Sequence, residues 1–132
     1  MKKLLLLLMI IPMIAFGQTA EEYFNKAFNY AESEKYWLAI DNHTKCIKLK
    51  PDDTNLATAY SNRGIAYVNV GNYEDAIADY TIAIRINPDY ASAYKNRGIV
   101  KEKEGLSYCS DYKRACDLGK EECCEWYYKQ CR

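Results

Sequence analysis

Six cysteines are the residues of this chain best suited to chemistry: Cys46, Cys109, Cys116, Cys123, Cys124 and Cys131. Five of them fall in the last 24 residues. No pair has the C-x-x-C spacing of a zinc site or a thioredoxin-like redox centre, and adjacent Cys123-Cys124 serves neither. His43 is the only histidine, so a nucleophile–imidazole triad or a histidine-ligated metal has little material. The acidic pairs Glu21-Glu22, Asp52-Asp53 and Glu121-Glu122 read as helix starts, where the positive end of the helix dipole favours them. Asp75–Asp79 and Glu102–Glu104 read as exposed faces. The residue types therefore predict no catalytic site, no metal and no cofactor. They leave disulfide formation as the main chemistry of the cysteines.

Disulfides persist in oxidising compartments, and the start of the chain reads as an address to one. Lys2 and Lys3 precede the apolar run Leu4 to Phe16. As a helix that run spans roughly 20 Å, short of a ~30 Å hydrocarbon core. With small residues at Ala15 and Gly17 it reads as a signal peptide over residues 1–17, cleaved after Gly17. No cysteine near that point could carry a lipid. Cleavage leaves 115 residues with 16 basic against 18 acidic side chains, a net charge of −2 in place of zero. Nothing later in the chain is long and apolar enough to cross a membrane. The expected location is secreted or periplasmic, with no stable membrane insertion. The length fits one domain, and the charge balance argues against a nucleic-acid partner held by phosphate neutralisation.

The elements that must position these residues are repeats. Tyr60-Ser-Asn-Arg-Gly-Ile-Ala-Tyr67 recurs as Tyr94-Lys-Asn-Arg-Gly-Ile-Val-Lys101, a shift of 34. Tyr23 to Tyr30 is a looser copy, 37 residues before the middle one, and the three extra residues are expected in a turn around Asp53 to Asn55. Within each copy apolar residues recur at three and four, as in Tyr73, Ala76, Ile77, Tyr80, Ala83 and Ile84, which is a helix with one buried stripe. Lys50-Pro51 and Asn87-Pro88 end helices, and Gly71 and Gly105 suit the left-handed caps of turns inside repeats. Helices are expected near 20–33, 36–49, 56–70, 73–86, 90–104 and 107–118, and no segment alternates as a strand does. Seven of the 13 tyrosines (Tyr23, Tyr30, Tyr60, Tyr67, Tyr73, Tyr80 and Tyr94) fall at packing positions.

A 34-residue period with this content resembles the tetratricopeptide repeat (TPR). In the middle copy Tyr60 takes the large aromatic place, Gly64 the small place and Tyr67 the next aromatic. Ala76, Tyr80, Ala83 and Pro88 complete the pattern, and only Arg63 departs from it, where Leu is preferred. The first copy keeps Tyr23, Ala27, Tyr30, Ala39 and Pro51, with His43 at an aromatic place and Cys46 at a small one. The third keeps Tyr94 and Gly98, then drifts, with Lys101 for the Tyr and Ser110 for the Ala. The resemblance implies an all-α solenoid of three repeats (about 20–53, 57–90 and 91–119), closed by a capping helix over 120–132.

The cysteines fit that end. Two antiparallel helices joined at Gly119 meet in pairs whose numbers share a constant sum, and Cys109 with Cys131 and Cys116 with Cys124 both give 240. Cys116 with Cys123 gives 239 and competes. A staple of this kind would hold a terminal helix too short to be stable alone. The stretch Tyr108 to Gly119 also resembles the closing repeat of secreted bacterial TPR proteins, with Cys109, Asp111, Tyr112, Lys113, Leu118, Gly119 and Cys131 in its places. That likeness favours Cys109–Cys131. Cys46 is expected as a buried free thiol, and Cys123 is left over, free or available for a bridge between chains.

By the same resemblance, binding belongs to the concave face lined by the first helix of each repeat. Its outward positions are Glu21, Phe24, Asn25, Phe28 and Glu32, then Thr58, Ser61, Asn62, Ile65 and Asn69, then Ser92, Lys95, Asn96, Ile99 and Lys103. Asn25, Asn62 and Asn96 recur at one place in every copy. An amide there can hold the backbone of an extended peptide or support a neighbouring helix, and the sequence leaves both open. The carboxylate clamp of chaperone-binding TPR domains needs a Lys and an Asn on the first helix, where this chain has Phe24 and Phe28, and a Lys and an Arg on the third, where it has Ser92 and Asn96. Only Asn62 fits it. The expected function is a non-enzymatic scaffold binding a protein or peptide. Self-association as an assembly subunit and thiol–disulfide exchange are the alternatives.

Overall fold

A computed structural model describes residues 17–132. The apolar run expected as a signal peptide lies in residues 1–16, outside the described residues. Seven helices follow in order: α1 (Ala20–Glu32), α2 (Tyr36–Lys48), α3 (Asp53–Asn69), α4 (Tyr73–Ile86), α5 (Ala91–Lys103), α6 (Cys109–Asp117) and α7 (Glu121–Gln130). The local chemistry explains their starts. Thr19 accepts from the Glu22 N–H while Glu22 accepts from the Thr19 N–H, both at 3.1 Å, a reciprocal cap that satisfies two otherwise free donors. Asp52 and Asn72 cap α3 and α4 in the same sense, a type of contact worth about 1 kcal/mol each. Gly71 and Gly105 take positive φ between paired helices, and Gly119 does so before α7.

One boundary differs from the sequence reading. The three extra residues after Pro51 do not form a turn; they form the first turn of α3. Asp52 supplies the cap, its Oδ1 accepting from the Asn55 N–H at 3.1 Å. A polar run with an aspartate in front extends a helix as readily as it ends one.

Helices pack in antiparallel pairs, α1 with α2, α3 with α4 and α5 with α6, and each pair leans on the next. The centre of each later pair is a glycine under an aromatic ring. A Cβ built on Gly64 would lie 2.9 Å from Tyr80 Cε1, and one on Gly98 would lie 2.7 Å from Tyr112 Cε1. In the first pair the corresponding residues are Ala27 and His43, both buried: the smaller ring goes with the larger partner. This register corrects the third copy. Gly98 and its ring are 14 residues apart, against 16 for Gly64 and Tyr80, and α6 begins three residues before its ring where α4 begins seven before. Tyr112 therefore takes the conserved-pattern ring position, and Ser110, which is exposed, is not at the small place. Tyr80 is buried, while the other six tyrosines expected in the packing are half-buried.

A second device repeats between pairs. Arg63 of α3 donates from Nε and Nη2 to the two carboxylate oxygens of Asp79, at 2.7 and 2.8 Å, and from Nη1 to Thr44 Oγ1 at 2.9 Å. Thr44 in turn donates to the Ile40 carbonyl. Arg97 of α5 does the same with Asp111, at 3.0 and 2.6 Å, and with Thr81 at 3.0 Å. Each arginine thus ties its own repeat to the second helix of the preceding one. Tyr60 lies under Arg63 and Tyr94 under Arg97, ring centroids 5.3 and 5.7 Å from the guanidinium carbon. Asp79 is therefore no exposed face residue; it is 3% exposed. Burial works against its ionised form and the Arg63 guanidinium works for it, a balance met by a bidentate, fully hydrogen-bonded pair. Arg63 departs from the family pattern because it carries this contact.

Candidate binding face

The C-terminal cysteines form two disulfides. Cys109 pairs with Cys131 and Cys116 with Cys124, at Cα separations of 5.7 and 4.7 Å. Both join α6 to the end or the middle of α7. Of the two candidates for Cys116, Cys124 is bonded, because Cys123 turns inward and packs with Tyr112 and Ala115. Cys46 and Cys123 are free thiols, both buried. Burial pushes both thiols up from the usual range, the reverse of what a reactive thiolate needs. A Cys123 bridge between chains is closed off for the same reason: its side chain is enclosed in the folded chain.

The face made by α1, α3 and α5 is open. Phe28, Ile65 and Ile99 are 51%, 42% and 42% exposed, one large apolar residue on each first helix. Three recesses run along this face. The largest, about 610 Å³, lies at the α1 end and includes Phe24, Asn25, Cys46 and Asn55. The next, about 140 Å³, is lined by Phe28, Ala31, Glu32, His43, Asn62 and Ile65. The third, about 240 Å³, is lined by Ile65, Val68, Tyr80, Asn96, Ile99 and Val100. Each recess holds one of the three repeated asparagines. Among the described residues none of their side-chain amides makes a hydrogen bond within the chain. Asn42 and Asn69, by contrast, each donate to the carbonyl four residues earlier. The helix-supporting role for the ladder asparagines finds no partner there.

The remaining sequence candidates divide. Asn69 and Lys103 are exposed, and Thr58 and Asn96 are half-buried. Ser61 is buried at 2% exposure, because in α3 it faces inward; it is a packing residue, not part of the face. Phe24 is half-buried, edge-on to the His43 ring at 5.6 Å. Lys95 is paired with Glu122 of α7 at 3.2 Å, so it helps to seat the cap. Lys103 donates to the Tyr73 hydroxyl and lies over that ring.

His43 is the residue whose role the sequence understated. It is 1% exposed, its Nδ1 has no hydrogen-bond partner, and its ring floors the 140 Å³ recess. Burial, and then the Arg63 charge, push its imidazole down to about 4. At neutral pH the ring is uncharged, with one nitrogen donating and the other accepting.

Known proteins agree with this architecture. Residues 57–90 match the tetratricopeptide repeat family. The chain is 29% identical over 100 residues, 76% of its length, to the photosystem I assembly protein Ycf3 of Synechococcus sp. (strain CC9605), and spans 58% of that protein. Among solved structures it resembles the first TPR of Spaghetti (RPAP3) bound to the HSP90 peptide SRMEEVD, with a TM-score of 0.73 and 27% identity over 85% of this chain and 92% of that one. It also resembles the TPR2B domain of yeast Sti1 in its pHsp70 complex, with a TM-score of 0.72 and 28% identity over 83% and 94% of the two chains. TPR proteins of this kind bind peptides and proteins and are in general not enzymes. The chain thus has an all-helical, TPR-like fold that contains a tetratricopeptide repeat at residues 57–90.

Proposed function

We propose that this protein is a binding scaffold that takes an extended protein segment on the face of α1, α3 and α5, and that it works outside the cytosol. The observation that carries the reading is the alignment on that face of an apolar residue and an unbonded asparagine on each first helix. Phe28, Ile65 and Ile99 offer surface that gains from being covered. Asn25, Asn62 and Asn96 can each donate to and accept from a peptide backbone. Of the structural relatives, one holds an HSP90 peptide and another is in a pHsp70 complex. The peptide here is of another class than the acidic SRMEEVD, because Phe24, Phe28, Ser92 and Asn96 stand where a carboxylate clamp needs Lys, Asn, Lys and Arg. The basic-apolar start of the chain and the two disulfides support export to an oxidising compartment.

The test is affinity capture from an envelope extract with the protein and with the variant carrying Asn25→Ala, Asn62→Ala and Asn96→Ala. The wild type should recover partners that the triple variant loses. Equal recovery by both would sink the asparagine ladder. Cell fractionation tests the location: protein retained in the cytosol at full length contradicts it.

A further inference from the structure

The two smaller recesses are built alike but are chemically unlike. Each lies between adjacent first helices and is floored by the ring of a second helix, and Ile65 lines both. The one over Tyr80 is walled by Ile65, Val68, Ile99 and Val100. Each holds one unbonded asparagine, Asn96 in the first and Asn62 in the second, and the one over His43 adds the imidazole whose Nδ1 has no partner and the exposed Glu32 carboxylate. A buried polar atom without a partner is costly, and burial of a complementary group relieves it. Arg63 stands close enough to depress the His43 imidazole, which disfavours a cationic occupant.

We propose that the His43 recess is a specificity subsite that takes a hydroxyl or primary-amide side chain of the bound segment, while the Tyr80 recess takes an aliphatic one. The inference rests on the binding-face reading above. It adds a spacing rule. The recesses lie on either side of α3 and open on one face. Successive side chains of an extended chain point to opposite faces, so the two side chains are an even number of positions apart in the partner.

The experiment is selection of random nonapeptides displayed on phage against the immobilised protein. It is repeated with the double variant Ala27→Gly/His43→Phe, which gives the larger ring the room that Gly64 gives Tyr80, and with Asn62→Ala, which leaves the core ring in place. The wild type should enrich Ser, Thr, Asn or Gln two or four positions from an aliphatic residue. The double variant should lose the polar preference and keep the aliphatic one. Selected peptides should bind both variants roughly tenfold more weakly, the loss of about one hydrogen bond. If both variants keep the polar preference and the affinity, the subsite is overturned and the binding face stands. If neither the wild type nor a variant enriches any peptide, the binding-face reading falls and the subsite with it.

Discussion

The first repeat and the two that follow share a backbone plan but not its fastenings. Repeats two and three each have a glycine under a tyrosine, an arginine clasped to a buried aspartate and a glycine in the left-handed turn. The first has Ala27 under His43, exposed Lys26 where the arginine would be, and Asn42 for the aspartate, bonded only to its own helix. In its turn Glu34 adopts φ 59° where Gly71 and Gly105 stand in the others. Beyond the third repeat, two disulfides secure α7. Cross-helix fastenings thus increase along the chain, and the 610 Å³ recess and the unpartnered imidazole both lie in the first repeat.

The largest effects should come from breaking the clasps. Asp111→Ala leaves Arg97 buried without its carboxylate and should cost about 3–5 kcal/mol, read as a fall in the urea midpoint. Asn42→Ala, the equivalent change in repeat one, should cost about 1 kcal/mol. Similar losses at both sites would remove the contrast between the repeats.

The staple comes next. Replacing Cys109 and Cys131 by serine opens a loop of 22 residues, worth about 3 kcal/mol in the chain-entropy account. Hydrogen exchange should quicken first in α7 and leave α3 and α4 protected. Uniform deprotection would mean the staple supports the whole solenoid.

Acid sharpens the comparison from the other end. His43 titrates near 6.5 when unfolded and at about 4 when folded. Between those values the unfolded chain binds the extra proton, so stability is full above pH 6.5 and falls as pH drops toward 4. The loss is up to about 3 kcal/mol. Ala27→Gly/His43→Phe should flatten that slope, leaving only the carboxylates. An unchanged slope would show that His43 is not the group being charged.

The smallest change should stabilise. Glu34→Gly relieves a left-handed backbone at a non-glycine residue and should add about 0.5–1 kcal/mol. A fall in the melting temperature would show that the Glu34 side chain outweighs its strain.

The contrast also explains what was legible beforehand. Helix positions followed from periodicity and from the Gly and Pro signals, because both act locally. The disulfide pairs followed from the antiparallel register of two helices joined at one glycine. Asp79 was misread because a charge on a helix reads as solvated until the arginine from another helix is placed against it. Ser61 was misread as outward because a small polar residue gives no sign of which face is covered. Ser110 was given the small place by carrying the 34-residue shift past Gly98, and the path from Gly98 to its ring is two residues shorter than that shift assumes. His43 was legible as a packing residue; its empty nitrogen was not, since an unmade hydrogen bond has no sequence pattern.

The account depends on the face of α1, α3 and α5 being the part that binds. The most direct measurement compares partner recovery, by quantitative mass spectrometry of captures from envelope extract, for three forms of the protein. These are the wild type, Ile65→Glu/Ile99→Glu on the face, and Trp37→Glu, which alters an exposed aromatic of α2. The account predicts at least a roughly tenfold loss for the face variant, as expected when a charge replaces apolar contacts, and no change for Trp37→Glu. Undiminished recovery by the face variant, or loss confined to Trp37→Glu, would contradict it.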